Sequence, residues 1–228
     1  VEFSQETLIA VGFYIINWFF YLWLMDYSPW RKKTLSYLVA QKRIEWLEAT
    51  AQRSNRIVDS TMLMGQMNGS LFYASSALLA LGACFALLTN REHITDLLFA
   101  TLHQIDTTET YIEVKIISLM LIFAYCFFKF GWAFRLFTYS SVLIGSIPNP
   151  QKDASEEYNQ KIQKSCMQAA HINIQAARHF DRGQRAIFAS LPLLSWFAGN
   201  KIMMVTSVII VLAMLRRQFL SQSVYILK

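Results

Sequence analysis

The chain has 228 residues, of which 54% are hydrophobic and only 16% charged, whereas a soluble domain carries roughly 25% charged residues. Its 21 Lys and Arg outnumber 15 Asp and Glu, for a formal charge of +6, yet the basic residues stand beside the ends of apolar runs. That distribution argues against a soluble domain and against a nucleic-acid-binding protein, and makes anionic membrane lipids the expected neighbours.

The first apolar run, Thr7 to Met25, is nineteen residues without a charge. At about 1.5 Å per residue it covers a hydrocarbon core of roughly 30 Å. It lacks a basic leader and a small-residue cleavage site, so it reads as a retained span and not as a signal peptide. Tyr27 and Trp30 follow at interface depth, and then Arg31, Lys32 and Lys33. Residues 34–60 contain no Gly or Pro, and Leu35, Leu38, Val39, Ile44 and Leu47 alternate with Lys42, Arg43, Arg53 and Arg56. This pattern predicts a long amphipathic helix on the membrane or beneath the bundle.

Residues 70–89 form the second predicted span, rich in Ala, Ser and Gly. Small side chains let helix backbones approach closely, so this is the expected central packed helix. The segment 90–111 sets several acids against one base, Arg91, and Ile94 to Ile105 suggests a short interfacial helix within it. The third span is predicted at about 112–134, with apolar character continuing past Arg135 until Pro148 and Pro150 stop the helix. A polar helix-forming stretch, 155–182, comes next. The apolar runs 186–198 and 202–217 flank Gly199-Asn200-Lys201. Read as one helix they would reach about 45 Å, too long for one upright span, so two short helices joined by a tight turn are expected.

The predicted fold is therefore all-α: a polytopic membrane helical bundle in one domain over residues 1–228. It has three full spans, a C-terminal pair of short helices and long cytoplasmic amphipathic helices. Residues 26–69 hold seven Lys and Arg, residues 147–185 hold six, and residues 90–114 hold one. The positive-inside rule then places the amino terminus in the periplasm and the carboxyl terminus in the cytoplasm of a bacterial inner membrane.

Ionisable groups in or beside spans are the candidate functional residues, because they are costly there. Lys129 and Arg135 lie on the third span about 240° apart around the helix, so they do not share a face. Lys129 either snorkels to the cytoplasmic headgroups, with Arg135 at the same interface, or pairs with Asp59 or Asp181, or holds an anion. Asn55, Arg56 and Asp59 have helical i, i+3 and i, i+4 spacing that would put them on one face, as a surface ion pair or as part of a site. Near the last apolar region, Arg178, His179, Asp181, Arg182, Gln184 and Arg185 fall within eight residues. The expected cluster at the cytoplasmic interface is Arg56, Asp59, Lys129, Arg135, His179, Asp181 and Arg182, joined in one polar network.

Cys84, Cys126 and Cys166 form no C-x-x-C pair and read as inert thiols. His93 and His103 fall on the outer side and His171 and His179 on the inner side, so no metal or haem site is expected. Phosphate-binding glycine loops, zinc-protease helices and nucleophile elbows are missing from the sequence, and no cofactor or catalytic residue is assigned.

Three stretches carry a resemblance: RSNRIVDSTMLMGQMNGSLFYASSALLALGACFALL, EVKIISLMLIFAYCFFKFGWAFRLFTYSSVLIG, and ARHFDRGQRAIFASLPLLSWF with the trailing LRRQF. The chain resembles the domain of unknown function 599 family, bacterial membrane proteins with relatives in plants. Its most specific motif is H-F-[ND]-R-G at His179 to Gly183, here with Asp181 where Asn is the commoner residue. The resemblance implies a multi-span inner-membrane protein and brings no activity with it. Three functions remain open at this point: a homo-oligomeric channel or small-solute transport protein, an accessory or assembly subunit of a larger membrane complex, and an interfacial enzyme acting on a lipid or small metabolite. In the enzyme reading His179 would donate a proton and arginines would clamp an anion.

Overall fold

A computed structural model describes residues 4–90, 92, 109–151 and 155–227, and among these it contains helices and turns but no strand. Helix α1, Gln5–Asp26, starts at Ser4, whose hydroxyl accepts a hydrogen bond from the Thr7 amide. A short 3₁₀ turn, Pro29–Lys33, leads into α2, Leu35–Ala51. Helix α3, Ile57–Thr89, and α4, Glu109–Gly145, run about 50 and 55 Å. Helix α5, Glu156–Ser195, is capped by Ser155 and reaches about 60 Å. A 3₁₀ turn, Trp196–Ala198, then leads to α6, Asn200–Phe219, and to the short α7, Gln222–Leu227.

Among the described residues, four helical segments are long and apolar enough to cross a membrane: Gln5–Asp26, Ile57–Thr89, Ile112–Gly145 and Asn200–Leu227. Their apolar residues point outward as well as inward. On α1, Thr7, Ala10, Tyr14, Tyr21 and Leu24 form a buried stripe while Ile16, Phe19, Phe20 and Trp23 are exposed. Greasy side chains exposed on this scale have lipid as their natural solvent. Helices α3, α4 and α5 are longer than the hydrocarbon is thick. Their other halves pack with α2 into a separate base around Leu47, Leu63, Ile144, Cys166 and Ala169.

Several predicted boundaries move. The helix expected over 34–60 is two helices, because the chain turns at residues 52–56 before α3 begins. The stretch expected as a polar helix, 155–182, and the apolar run from 186 form one continuous helix to Ser195. Its glycine, Gly183, keeps helical geometry. The run expected as a short helix at 202–217 is a 20-residue helix, about 30 Å, long enough to cross alone. The break between the two lies at Gly199, whose φ of 134° is open to glycine and not to other residues. Leu193 and Met203 belong to one apolar cluster and Phe188 and Met214 to another, so 186–195 lies alongside α6. The interfacial helix expected within 90–111 lies outside the described residues.

Helix α1 is joined to α5 and α6 by polar contacts within the apolar layer. Tyr14 donates to the Ala189 carbonyl at 2.9 Å, Asn17 to Ser207 at 2.8 Å, and Asn200 to Thr7 at 3.1 Å. Such bonds act as glue where lipid removes any hydrophobic drive for helix association.

Candidate functional site

Where α1 ends, its last residue, Asp26, meets two arginines of α5. The carboxylate accepts from Arg182 Nη2 at 3.3 Å and from Arg185 Nη1 at 3.1 Å. Arg31 reaches back to the Asp26 backbone carbonyl at 3.3 Å, so Arg31 and Arg182 sit at the same end of the bundle. Asp26 is the single acid between Glu6 and Glu45, and its place at the foot of an uncharged span marks it as a candidate that the sequence reading overlooked.

Around this ion pair is a cavity of about 230 Å³, walled by the end of α1, the first half of α2, the middle of α5 and the end of α6. Six arginines line it, Arg31, Arg43, Arg178, Arg182, Arg185 and Arg217, against two acids, Asp26 and Asp181. The face is built by helical spacing on α5: positions 178, 181, 182 and 185 recur at three and four residues and so look the same way. Met25, Leu35 and Val39 give the same cavity apolar wall. A small recess of about 20 Å³ shares Asp181, Arg185, Arg217 and Gln218 with it and is also lined by Tyr21.

Two donors at this site have no protein partner. Arg185 is 8% exposed and its Nε is buried without a hydrogen bond, and the Tyr21 hydroxyl, on a residue 0% exposed, is likewise unbonded. A buried donor left unmade costs about 1–3 kcal/mol, more when charged, so both need an acceptor. Arg43 lines the cavity from α2. Its Nη1 donates to Gln66 at 2.7 Å and to Asn173 at 2.6 Å, and Asn173 in turn donates to Ser140 at 3.2 Å. Burial holds the Arg43 guanidinium below its ordinary range, and the Asp181 carboxylate works against that shift.

The expected single network does not form, because α5 divides its motif between two faces. Asp181 and Arg182 line the cavity. His179, Phe180 and Gly183 turn to α4 instead. The His179 ring lies edge-on to Trp132 at 6.4 Å, and Phe180 packs against Tyr73 and Phe130. Burial, then Lys129 and Arg182, lower the basicity of His179, and its Nδ1 has no partner. The edge-on Trp132 ring and the turn toward α4 keep His179 off the arginine cavity, so the structure does not bring it together with Asp181 and Arg182. Lys129 places its ammonium 5.1 Å from the Tyr125 ring centroid, and Arg135 donates to the Tyr139 hydroxyl at 2.7 Å. Neither lines the arginine cavity.

Arg56 and Asp59 also have separate tasks, and the helical face expected to join them is absent because Asn55 and Arg56 precede α3. Arg56 donates to the carbonyls of Ile144 and Pro148 at 3.3 and 3.1 Å, capping the end of α4. Asp59, 0% exposed, takes three donors on Oδ1: Trp46 at 2.7 Å, Thr50 at 2.9 Å and Arg53 at 2.8 Å. It ties α2 to α3 and is a strut of the base. Among the described residues no three His, Cys, Asp or Glu side chains come together.

Four helices fit to cross a bilayer, with a cationic cavity where three apolar runs end, define a helical integral membrane protein. The chain belongs to the family described as "Protein of unknown function, DUF599", whose model matches residues 9–223. No curated protein and no solved structure matches it.

Proposed function

We propose that this is a multi-span protein of the bacterial inner membrane that captures an anion in the arginine cavity, as the cytoplasmic binding site of a small-solute transport protein. The observation that carries this reading is six guanidinium groups converging on one cavity that contains two carboxylates. The basic residues at that end support a cytoplasmic location under the positive-inside rule, which would put the amino terminus in the periplasm. A passage lined by Lys129 or Arg135 is not what supports transport; the cavity is. Thermal unfolding of the detergent-purified protein at constant ionic strength tests the binding step, comparing chloride with sulfate, phosphate and citrate. A ligand at ten times its Kd adds about 1.4 kcal/mol of stability, and the variant Arg178→Gln/Arg217→Gln, altered at two exposed arginines, should lose that gain. Indistinguishable curves in all four salts would end the proposal.

A homo-oligomer is the second reading. The apolar window of α3 is 17% buried against 28% for each of the other three spans, and Gly65, Gly69 and Gly82 on it stand in open space. Backbones can approach closely there, so α3 has room for a second copy. Mass measurement by light scattering with detergent subtraction tests this, and a monomer at all protein concentrations would argue against it.

A further inference from the structure

Resting on the anion-binding reading above, we infer that the ligand is a phosphoryl group with two or more negative charges, a phosphomonoester or a diphosphate, seated against Arg185 and the Tyr21 hydroxyl. Three observations converge on it.

The first is charge. Six arginines against two aspartates leave four positive charges uncompensated around one cavity. A singly charged ion would neutralise one of them, whereas a phosphomonoester or a diphosphate matches two to four. The second is the direction of the donors. They come from four places, the turn after α1, α2, α5 and α6, and so approach a common centre from several sides. A planar carboxylate accepts in its own plane, but a tetrahedral phosphoryl group has oxygens facing every wall, and guanidinium forks suit them. The third is the pair of unsatisfied buried donors. Arg185 already spends Nη1 on Asp26, which fixes its orientation, and keeps Nε free. Tyr21, on α1, has a hydroxyl without a partner in the recess that shares Arg185 and Arg217 with the main cavity. Among the described residues neither donor has another acceptor.

Size and surroundings agree. A volume of 230 Å³ is about eight times a water molecule's share of roughly 30 Å³, room for a phosphoryl group and a small substituent or for two phosphoryl groups. Met25, Leu35 and Val39 add an apolar side to the wall at the depth where α1 leaves its hydrophobic stretch. That wall would accept the glycerol end of a lipid as readily as the carbon frame of a soluble phosphate ester. The recognised chemistry is the same in both.

The experiment measures binding to the full chain in detergent by calorimetry. Soluble probes are inorganic pyrophosphate and glycerol 3-phosphate; lipid probes are short-chain phosphatidic acid, a monoester, and phosphatidylglycerol, a diester. The monoester and diphosphate probes should bind at least tenfold tighter than phosphatidylglycerol or acetate. Their affinity should rise from pH 5 to 7 as the second phosphate proton leaves near pH 6. Tyr21→Phe removes only the unpartnered hydroxyl, so it should fold normally and weaken pyrophosphate binding by about three- to tenfold. Competition of phosphatidic acid with pyrophosphate assigns a lipid source, and binding of pyrophosphate alone assigns a soluble one. Anion binding with no monoester preference would overturn the phosphoryl assignment and leave the anion-binding reading standing. Unchanged affinity in Tyr21→Phe would overturn the seat, and no binding of any anion would overturn both readings.

Discussion

Replacing Gly183 by alanine tests why the most specific motif of the chain ends in glycine. A Cβ at that position would lie 2.7 Å from Phe130 Cε1 and 2.8 Å from Cζ. Phe130 cannot easily swing aside: it is 0% exposed, stacked on Tyr73 at 5.2 Å and edge-on to Phe180 at 5.4 Å. Overpacking of this kind costs about 1–3 kcal/mol. Alanine in mid-helix returns about 0.5–1 kcal/mol relative to glycine, so the net loss should be about 1–2 kcal/mol. Gly131→Ala is the internal control, since nothing lies within 4 Å of its added Cβ, and it should be neutral or slightly stabilising. Thermal or denaturant unfolding in detergent reads both. The double variant Gly183→Ala/Phe130→Leu closes a mutant cycle and should show a favourable coupling of about 1 kcal/mol, because the smaller side chain makes room for the methyl. Equal stability of Gly183→Ala and the parent, or a cycle with no coupling, would refute close packing as the reason for this glycine.

Asp26→Asn leaves Arg182 and Arg185 sharing a neutral acceptor, and should cost about 1–3 kcal/mol in unfolding experiments while anion affinity holds or rises, since the cavity gains one net positive charge. Asp59→Asn breaks a fully buried acceptor of three donors, and should cost about 2–3 kcal/mol and make the turn at residues 52–56 more sensitive to limited proteolysis. The folded protein holds His179 below its ordinary value of 6.5, so the unfolded chain takes up the proton first as pH falls and stability declines from about pH 6.5 downward. His179→Gln should flatten that acid limb in melting temperatures recorded between pH 5 and 8, and an unchanged limb would show that the histidine is not the cause.

The apolar layer was legible because hydrocarbon enforces it. A run such as Thr7 to Met25 has no way to satisfy its peptide groups in lipid except as a helix, so composition and length suffice. Helix ends were less legible. The helix expected to end near residue 182 runs on through Gly183, whose missing side chain serves an interhelical contact with Phe130, a partner 53 positions earlier that spacing along α5 does not reveal. Asn55, Arg56 and Asp59 have helical spacing, and yet the helix starts only at Ile57, because the Asn55 side chain closes a turn ahead of it by accepting from the Ile57 amide at 3.0 Å. At the site, Asp181 and Arg182 were found from their density of charge. Asp26 is a single acid at the end of an uncharged run and Arg43 one of several bases on an amphipathic helix, and only the docking of α1 and α2 onto α5 makes them part of a cluster.

The depth of the arginine cavity follows from three hydrophobic lengths that end together. Helix α1 loses its apolar character at Asp26, α6 at Arg216 and Arg217, and α5, ascending, gains it only after Arg185. Sliding any of these helices one turn, about 5.4 Å, would carry an arginine toward the hydrocarbon or draw apolar residues out of it. An arginine at the bilayer centre costs about 2.5–3.5 kcal/mol even on insertion scales, so the membrane itself resists such a slip. The Asp26 ion pairs then fix the register that the bilayer has chosen: one carboxylate takes α5 arginines three positions apart, at 182 and 185, which a shift by a full turn would separate. A cavity held in this way stays where the apolar runs of α1, α5 and α6 end, with the first half of α2 as one of its walls. Its charge is thus a consequence of where the helices stop, and beside it lie two buried donors, on α1 and α5, that the described residues leave unbonded.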